Sequence, residues 1–318
     1  MPIRRGSGLE DHLDPWLQDG DIILAAEGKY FRIHRDVLSS ASQIFQDMFS
    51  CPQSNKSVDP RMDGCPVIVL HDLASDVQIV LRALYSRSPY RTFTKEPTPL
   101  SVVAASLRLG KKYEIPRLFD EACARIKECY PASLFTLLFL PLDLKHPISG
   151  RDKYGFQLIN LAREFGLLSL LPVAMYLCVR SCPLSAILDG YHFKGSFYTL
   201  SLDNQRSCIM GRDKLLELQS ITFGWLKRRR GCCLDEVKCA FGNYMTISEL
   251  WSPDLPHFRD PFMRWDPKWD SRFCQNCLIY CHREIEDGRE SAWDALPSAF
   301  GLGSWEELAK NETYETSF

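Results

Sequence analysis

Four cysteines in the last third of the chain, Cys233, Cys239, Cys274 and Cys277, are the side chains best suited to chemistry. Thiolates are soft ligands that hold zinc tetrahedrally, and the two-residue gap in Cys274-x-x-Cys277 lets both sulfurs face one ion. The gap between Cys233 and Cys239 is looser than is usual in structural zinc sites. Cys232, Cys281 and His282 are alternative ligands. Cysteine also behaves as a small hydrophobe and is among the most buried residue types. A structural zinc and plain packing are therefore both open for this set. A catalytic zinc lacks the His-rich open site it needs. Cys123, Cys129, Cys178, Cys182 and Cys208 read as packing residues.

The remaining candidates point away from catalysis. His34 reads as a histidine bonded to backbone, and Asp36 as an acid that complements a helix dipole. The basic run Lys227-Arg228-Arg229-Arg230 suits a solvated helix end, with nuclear import or a phosphate contact as the alternative. Trp251, Trp265, Trp269, Trp293 and Trp305 read as packing of a small tail subdomain with little regular structure, rather than as a ligand groove. Glu306 and Glu307 are adjacent on a predicted helix, so they diverge. No phosphate-binding loop, dinucleotide glycine fingerprint, His-Glu-x-x-His or Gly-x-Ser-x-Gly occurs. Nothing assembles a nucleophile, a base and an oxyanion site, so the expectation is a protein that is not an enzyme.

Bulk properties agree with an ordinary globular protein. Apolar residues make up 45% and charged residues 25% of 318. The net charge of −2 supplies no field that would draw nucleic acid or anionic lipid. The apolar stretch from Leu167 to Val179 is too short to span a bilayer and reads as buried helix. No apolar run follows Arg4 and Arg5, so no secretory signal is expected. The expected location is cytoplasmic or nuclear, where the 13 cysteines stay reduced.

Positioning these residues requires the following elements. Residues 1–18 are polar, broken by Gly and Pro, and read as a flexible lead-in. Asp21–Ala26 and Lys29–His34 flank Glu27-Gly28, the signal of a β-hairpin. Val37, Leu38, Ala41, Ile44, Phe45, Met48 and Phe49 follow at helical spacing, with Ser42 as an N-cap splitting them into two helices. After a loop at 51–64, Val67–Leu70 reads as a strand. A helix through Val77, Val80, Leu81 and Leu84 is capped by Asp72 or Ser75, and a loop covers 86–99. Helices are expected over Leu100–Leu109 and from Ile115 to about Tyr130. Strand signals then largely stop, with helical stretches near 132–140, 153–166, 168–180 and 204–227. The resulting organisation is a lead-in at 1–18, an α+β domain at 19–130, a helical region at 131–228 and a Cys/Trp-rich tail at 229–318.

The order Asp19-Gly20-Asp21-Ile22-Ile23-Leu24, Tyr30-Phe31-Arg32-Ile33-His34, Val37-Leu38, Ser42, Phe45 and Met48-Phe49 resembles the opening of a BTB (POZ) domain. The likeness continues at Ile68-Val69-Leu70-His71-Asp72, at Val80–Tyr85 and at Leu107–Ile115, and so covers about 19–130. The tail, through Gly211–Leu218 and Phe300–Leu308, resembles basidiomycete fungal proteins of that type. The resemblance implies a three-stranded sheet covered by helical hairpins, and an adaptor or scaffold that binds proteins, itself included as a homodimer. It also admits a substrate receptor for a cullin-type ubiquitin ligase. The basic run, together with a zinc-bearing tail, admits a nuclear DNA-associated regulator. The short lead-in offers little chain for an additional strand.

Overall fold

The computed structural model describes residues 12–50, 61–86, 96–139, 146–228, 231, 233–254 and 258–312. The chain divides into two compact units. One is built on residues up to Cys129 with Lys145–Gly150, the other on Tyr130–Leu144 and Arg151–Ser317.

The first unit begins with β1 (His12–Trp16), β2 (Ile22–Ala26) and β3 (Lys29–Ile33), then α1 (Arg35–Ala41) and α2 (Gln43–Ser50). β4 (Arg61–Met62), β5 (Cys65–Leu70), α3 (Ala74–Leu84), β6 (Thr98–Pro99), α4 (Leu100–Lys112) and α5 (Pro116–Lys127) follow. One sheet has the order β1-β3-β2-β5-β4. β2 and β3 form the expected hairpin, with Ile22 opposite Ile33 and Ala26 opposite Lys29. Its turn residues Glu27 and Gly28 have φ of 47° and 75°, the sign that a tight type I′ turn requires. β2 also pairs in parallel with β5 and is buried throughout.

Three strands were expected from sequence, and the sheet has five. β1 lies parallel to β3 and uses His12–Trp16, which the sequence pattern places in the lead-in. Its Asp14-Pro15 pair hides the strand from propensity reasoning, yet a sheet edge tolerates a proline that cannot donate. Residues 1–11 of the lead-in lie outside the described residues, as do 51–60 of the loop expected at 51–64 and 87–95 of that expected at 86–99, while β4 and β6 fall within the rest of those two loops.

Helices cover this sheet. Leu38, Phe45, Val77, Val80, Leu81, Leu109 and Ile115 pack with Ile22, Leu24, Phe31 and Ile33 in one core. Ser42 separates α1 from α2 as expected, its Oγ accepting the Phe45 amide at 3.1 Å. The same hydroxyl donates to the Tyr113 carbonyl oxygen. α3 is anchored differently from expectation. Neither Asp72 nor Ser75 caps it: the Ala74 amide donates to Glu27 Oε2 at 2.9 Å, tying α3 to the hairpin turn. Asp72 instead accepts from Lys112 Nζ at 2.6 Å and Tyr113 Oη at 2.5 Å. Burial, then the bond to Asp72, pushes the Tyr113 phenol up.

The second unit is mostly helical: α6 (Leu134–Phe139) and, after β7, α7 (Phe156–Glu164), α8 (Leu171–Ser181), α9 (Leu184–Asp189), α10 (Leu202–Thr222), α11 (Glu236–Leu250), α12 (Gln275–Ala299) and α13 (Trp305–Lys310). β7 (Ile148–Ser149) belongs to the first unit and pairs in parallel with β6. β8 (Tyr191–Phe193) and β9 (Ser196–Tyr198) form a small hairpin that the sequence pattern did not mark. α10 packs along α12 and against α8. The boundary placed near residue 228 therefore falls inside one compact unit. The tail is also richer in regular structure than expected, since α11 and α12 occupy much of it. Leu171–Ser181 is buried helix, and no helix among the described residues is long and apolar enough to cross a membrane.

Ser42→Ala should destabilise the first unit by about 1–2 kcal/mol, because it removes an N-cap and strips a buried carbonyl of its donor. Amide exchange of β2 reads the change. Unchanged exchange would mean that another group takes over both bonds.

Candidate metal centre

The four cysteines that the sequence singles out come together in the second unit. Their Sγ atoms all lie within 4.8 Å of one another. Cys233 precedes α11 and Cys239 lies near its start. Cys274 is the N-cap of α12, and Cys277 follows in its first turn. The cap geometry makes the two-residue gap work, since an extended N-cap and the third helical residue project toward one point.

The spacing suits a metal. Four sulfurs placed ~2.3 Å from one ion stand ~3.8 Å apart, close to the packing seen here. The surrounding backbone treats two of the sulfurs as acceptors. The Leu234 amide donates to Cys274 Sγ at 3.4 Å, and the Cys274 amide donates to Cys239 Sγ at 3.2 Å. The Leu234 bond pulls the Cys274 thiol down to about 6, against the effect of its burial. Burial pushes the Cys239 thiol up, the Cys274 amide opposing it. Thiolates this close repel one another, and a dication is what lets all four lose their protons. The donor set is soft, compact and complete for tetrahedral zinc. It leaves no position for a reacting water.

The alternatives sit elsewhere. Cys281 is buried in α12, outside the four-sulfur group. His282 packs on Trp265, with ring centroids 4.3 Å apart. Cys232, Arg229 and Arg230 lie outside the described residues. Cys123, Cys178, Cys182 and Cys208 are buried and Cys129 half-buried, as expected of packing residues. Arg228 reaches Glu284 at 3.2 Å. A cavity of about 400 Å³ opens beside the sulfurs, lined by Arg228, Cys233, Glu236, Val237, Cys239 and Cys277 among others.

The tryptophans do pack the tail. Trp265 meets Trp269 edge-on at 5.2 Å, and Trp293 stacks on Trp305 at 4.8 Å. The carboxylates Glu306 and Glu307 part company, Glu307 forming a capping box with Ser304. In the first unit, the His34 amide donates to Tyr85 Oη at 2.7 Å, and its ring faces Tyr85 at 3.1 Å and Asp19 at 3.3 Å. The imidazole thus meets side chains where a backbone partner was expected. Asp36 is exposed in the first turn of α1, where it complements the dipole.

Sequence reasoning missed the polar ties around this centre. Arg272 clamps Glu249 through two nitrogens, at 3.1 and 2.6 Å, and also reaches Thr246. Trp269 Nε1 donates to the same Glu249 at 3.0 Å. Deeper in the unit, buried Asp260 accepts from Tyr176 Oη at 2.6 Å and pairs with Arg180 at 3.1 Å. No spacing signal foretells these pairs, whose members lie 23 and 84 residues apart.

The first unit, with its small sheet under helical hairpins, matches a known family. Residues 11–129 match the BTB/POZ domain. The match begins ahead of Asp19 and so takes in β1, which the sequence reading left out. BTB domains are protein–protein interaction modules, and the chain beyond residue 129 is mostly helical, with the cysteine cluster near its C-terminal end. A search of curated proteins gave no match.

Gly242 lets α11 lie against the 3-10 turn at Pro267–Arg272, since a Cβ there would collide with the Arg272 carbonyl oxygen. Gly242→Ala should therefore cost about 1–3 kcal/mol and loosen α11. Thermal unfolding together with amide exchange in Glu236–Leu250 measures this. A neutral substitution would show that the 3-10 turn moves aside freely.

Proposed function

We propose that this protein is a non-enzymatic adaptor or scaffold that holds partner proteins through its BTB domain. We also propose that Cys233, Cys239, Cys274 and Cys277 hold a structural zinc. The single observation that carries the first reading is the BTB match over residues 11–129. A second copy of the chain is one natural partner. β1 stands at the end of the sheet order, and an edge strand offers backbone groups to another chain. Cytoplasm or nucleus suits a chain of 13 cysteines, because glutathione keeps thiols reduced there.

The zinc reading rests on the donor set. Four sulfurs within one small sphere, two of them accepting backbone amides, form a closed thiolate site. Its role is to fold and hold, because four protein ligands leave the ion no substrate position.

The adaptor reading is tested with the full chain by affinity capture and mass spectrometry, beside light scattering. The expected result is a reproducible protein partner or a mass of twice 36.5 kDa. A monomer that captures nothing specific would overturn it. Capture of a cullin would narrow the adaptor to a ligase receptor. Tight duplex binding that falls steeply with salt would replace it with a DNA-associated regulator. For the metal, analysis of freshly purified, unchelated protein should find about one zinc per chain, falling sharply in Cys274→Ser. A content near zero in the unsubstituted chain would remove the zinc reading.

A further inference from the structure

The two halves of α11 are held by different forces. Toward its C-terminal end, Leu250 is fully buried, Thr246 and Glu249 are clamped by Arg272, and the Leu250 carbonyl accepts from Gln219 Nε2 at 2.8 Å. Toward its N-terminal end, the buried positions are Cys239 and Gly242, and a glycine has no side chain to bury. Val237 and Phe241, the apolar residues that would anchor an ordinary helix, are 84% and 66% exposed. The first turns of α11 therefore have almost no hydrophobic attachment. What they have is sulfur: Cys239 on the helix and Cys233 just before it, facing Cys274 and Cys277 at the start of α12.

One sulfur of the site is also accessible. Cys233, Cys239 and Cys277 line the cavity of about 400 Å³, and Cys233 is only half-buried. A structural zinc sealed in protein is sheltered from solutes, whereas here the half-buried Cys233 meets the cavity while Cys239 and Cys277 stay buried.

We propose that the ion is the fastener of the N-terminal half of α11, and that peroxide releases it. This rests on the zinc reading. The Cys233 thiolate attacks one peroxide oxygen, an S–O bond forms, the O–O bond breaks and hydroxide leaves. A second thiolate of the set attacks that sulfur, an S–S bond forms and the second hydroxide leaves. Two thiolates have lost two electrons in total, and peroxide has become two hydroxides. Zinc, left with two ligands, passes to solvent. The first turns of α11 then lose their attachment, while the Arg272 clamp keeps the second half in place.

The test uses the full chain. Metal analysis comes first, and a chain without zinc sinks the underlying reading separately from this one. On zinc-loaded protein, hydrogen peroxide is added with a chromogenic zinc chelator present, and amide exchange is followed by mass spectrometry. The expected result is release of about one zinc per chain, a disulfide within the four-cysteine set, and exchange at 236–241 faster by about tenfold or more. Exchange at 246–250 should change far less, and reductant with added zinc should restore the original pattern. Chelation under reducing conditions should give the same local loosening with no disulfide, which separates fastening from oxidation. Zinc retained in excess peroxide would overturn the release step. Zinc lost by either route with exchange at 236–241 unchanged would overturn the fastener.

Discussion

Every residue of β2 is buried, so the rest of the BTB domain must satisfy its two faces and two edges at once. The edges are met by β3 on one side and β5 on the other. The faces require apolar cover, because hiding side chains such as Ile22, Ile23 and Leu24 is worth about 1.5–3 kcal/mol each. Phe45, Val77, Leu81 and Leu109 supply that cover from α2, α3 and α4. The polar ties then fix where each helix lies. Glu27 holds the start of α3, and Ser42 joins the α1–α2 break to the end of α4 through the Tyr113 carbonyl. The strand order follows from one buried strand, and the helix positions follow from covering it.

The second unit solves the same problem with fewer apolar contacts at one corner. Most of its helices bury ordinary hydrophobic faces, α8 most completely. The buried carboxylates are paired, Asp260 with Tyr176 and Arg180 and Asp152 with Tyr191, since an unpaired buried charge would be prohibitive. At the start of α11 this pattern fails, with its apolar side chains pointing outward. A short helix without tertiary packing is marginal in water. Metal–thiolate bonds are a compact substitute for such packing, because a single ion ties chain segments that bury little surface.

Much of this was legible in the sequence, for reasons that can be named. The continuous run Asp21–Ala26 and the Glu27-Gly28 turn announce a central strand and its hairpin, and Ser42 announces the break between helices. The four cysteines were legible because thiol identity and the Cys-x-x-Cys gap are local facts. β1 was not, since Asp14-Pro15 conceals a strand whose existence depends on a partner, β3, already being in place. The cap of α3 was not, because Glu27 lies 47 residues from Ala74 and acts across the fold. The low regularity expected of the tail came from its prolines and tryptophans. The structure confines those mostly to the 251–273 connection, leaving α11 and α12 as regular helices on either side.

The two units also differ in what their stability draws on. The BTB core contains no member of the metal-type cysteine set, and polar ties such as Ser42 to Tyr113 and Ala74 to Glu27 hold its helices. The second core, by contrast, counts Cys239, Cys274 and Cys277 among its buried members, beside Trp225, Trp269 and Phe273. A change in the state of those sulfurs therefore acts on buried members of the second core. A unit held by hydrophobic burial and a unit whose core includes clustered thiols thus rest on different chemistry. Hydrophobic burial answers to temperature and denaturant, whereas thiolates gathered around an ion answer to metal supply and oxidants as well.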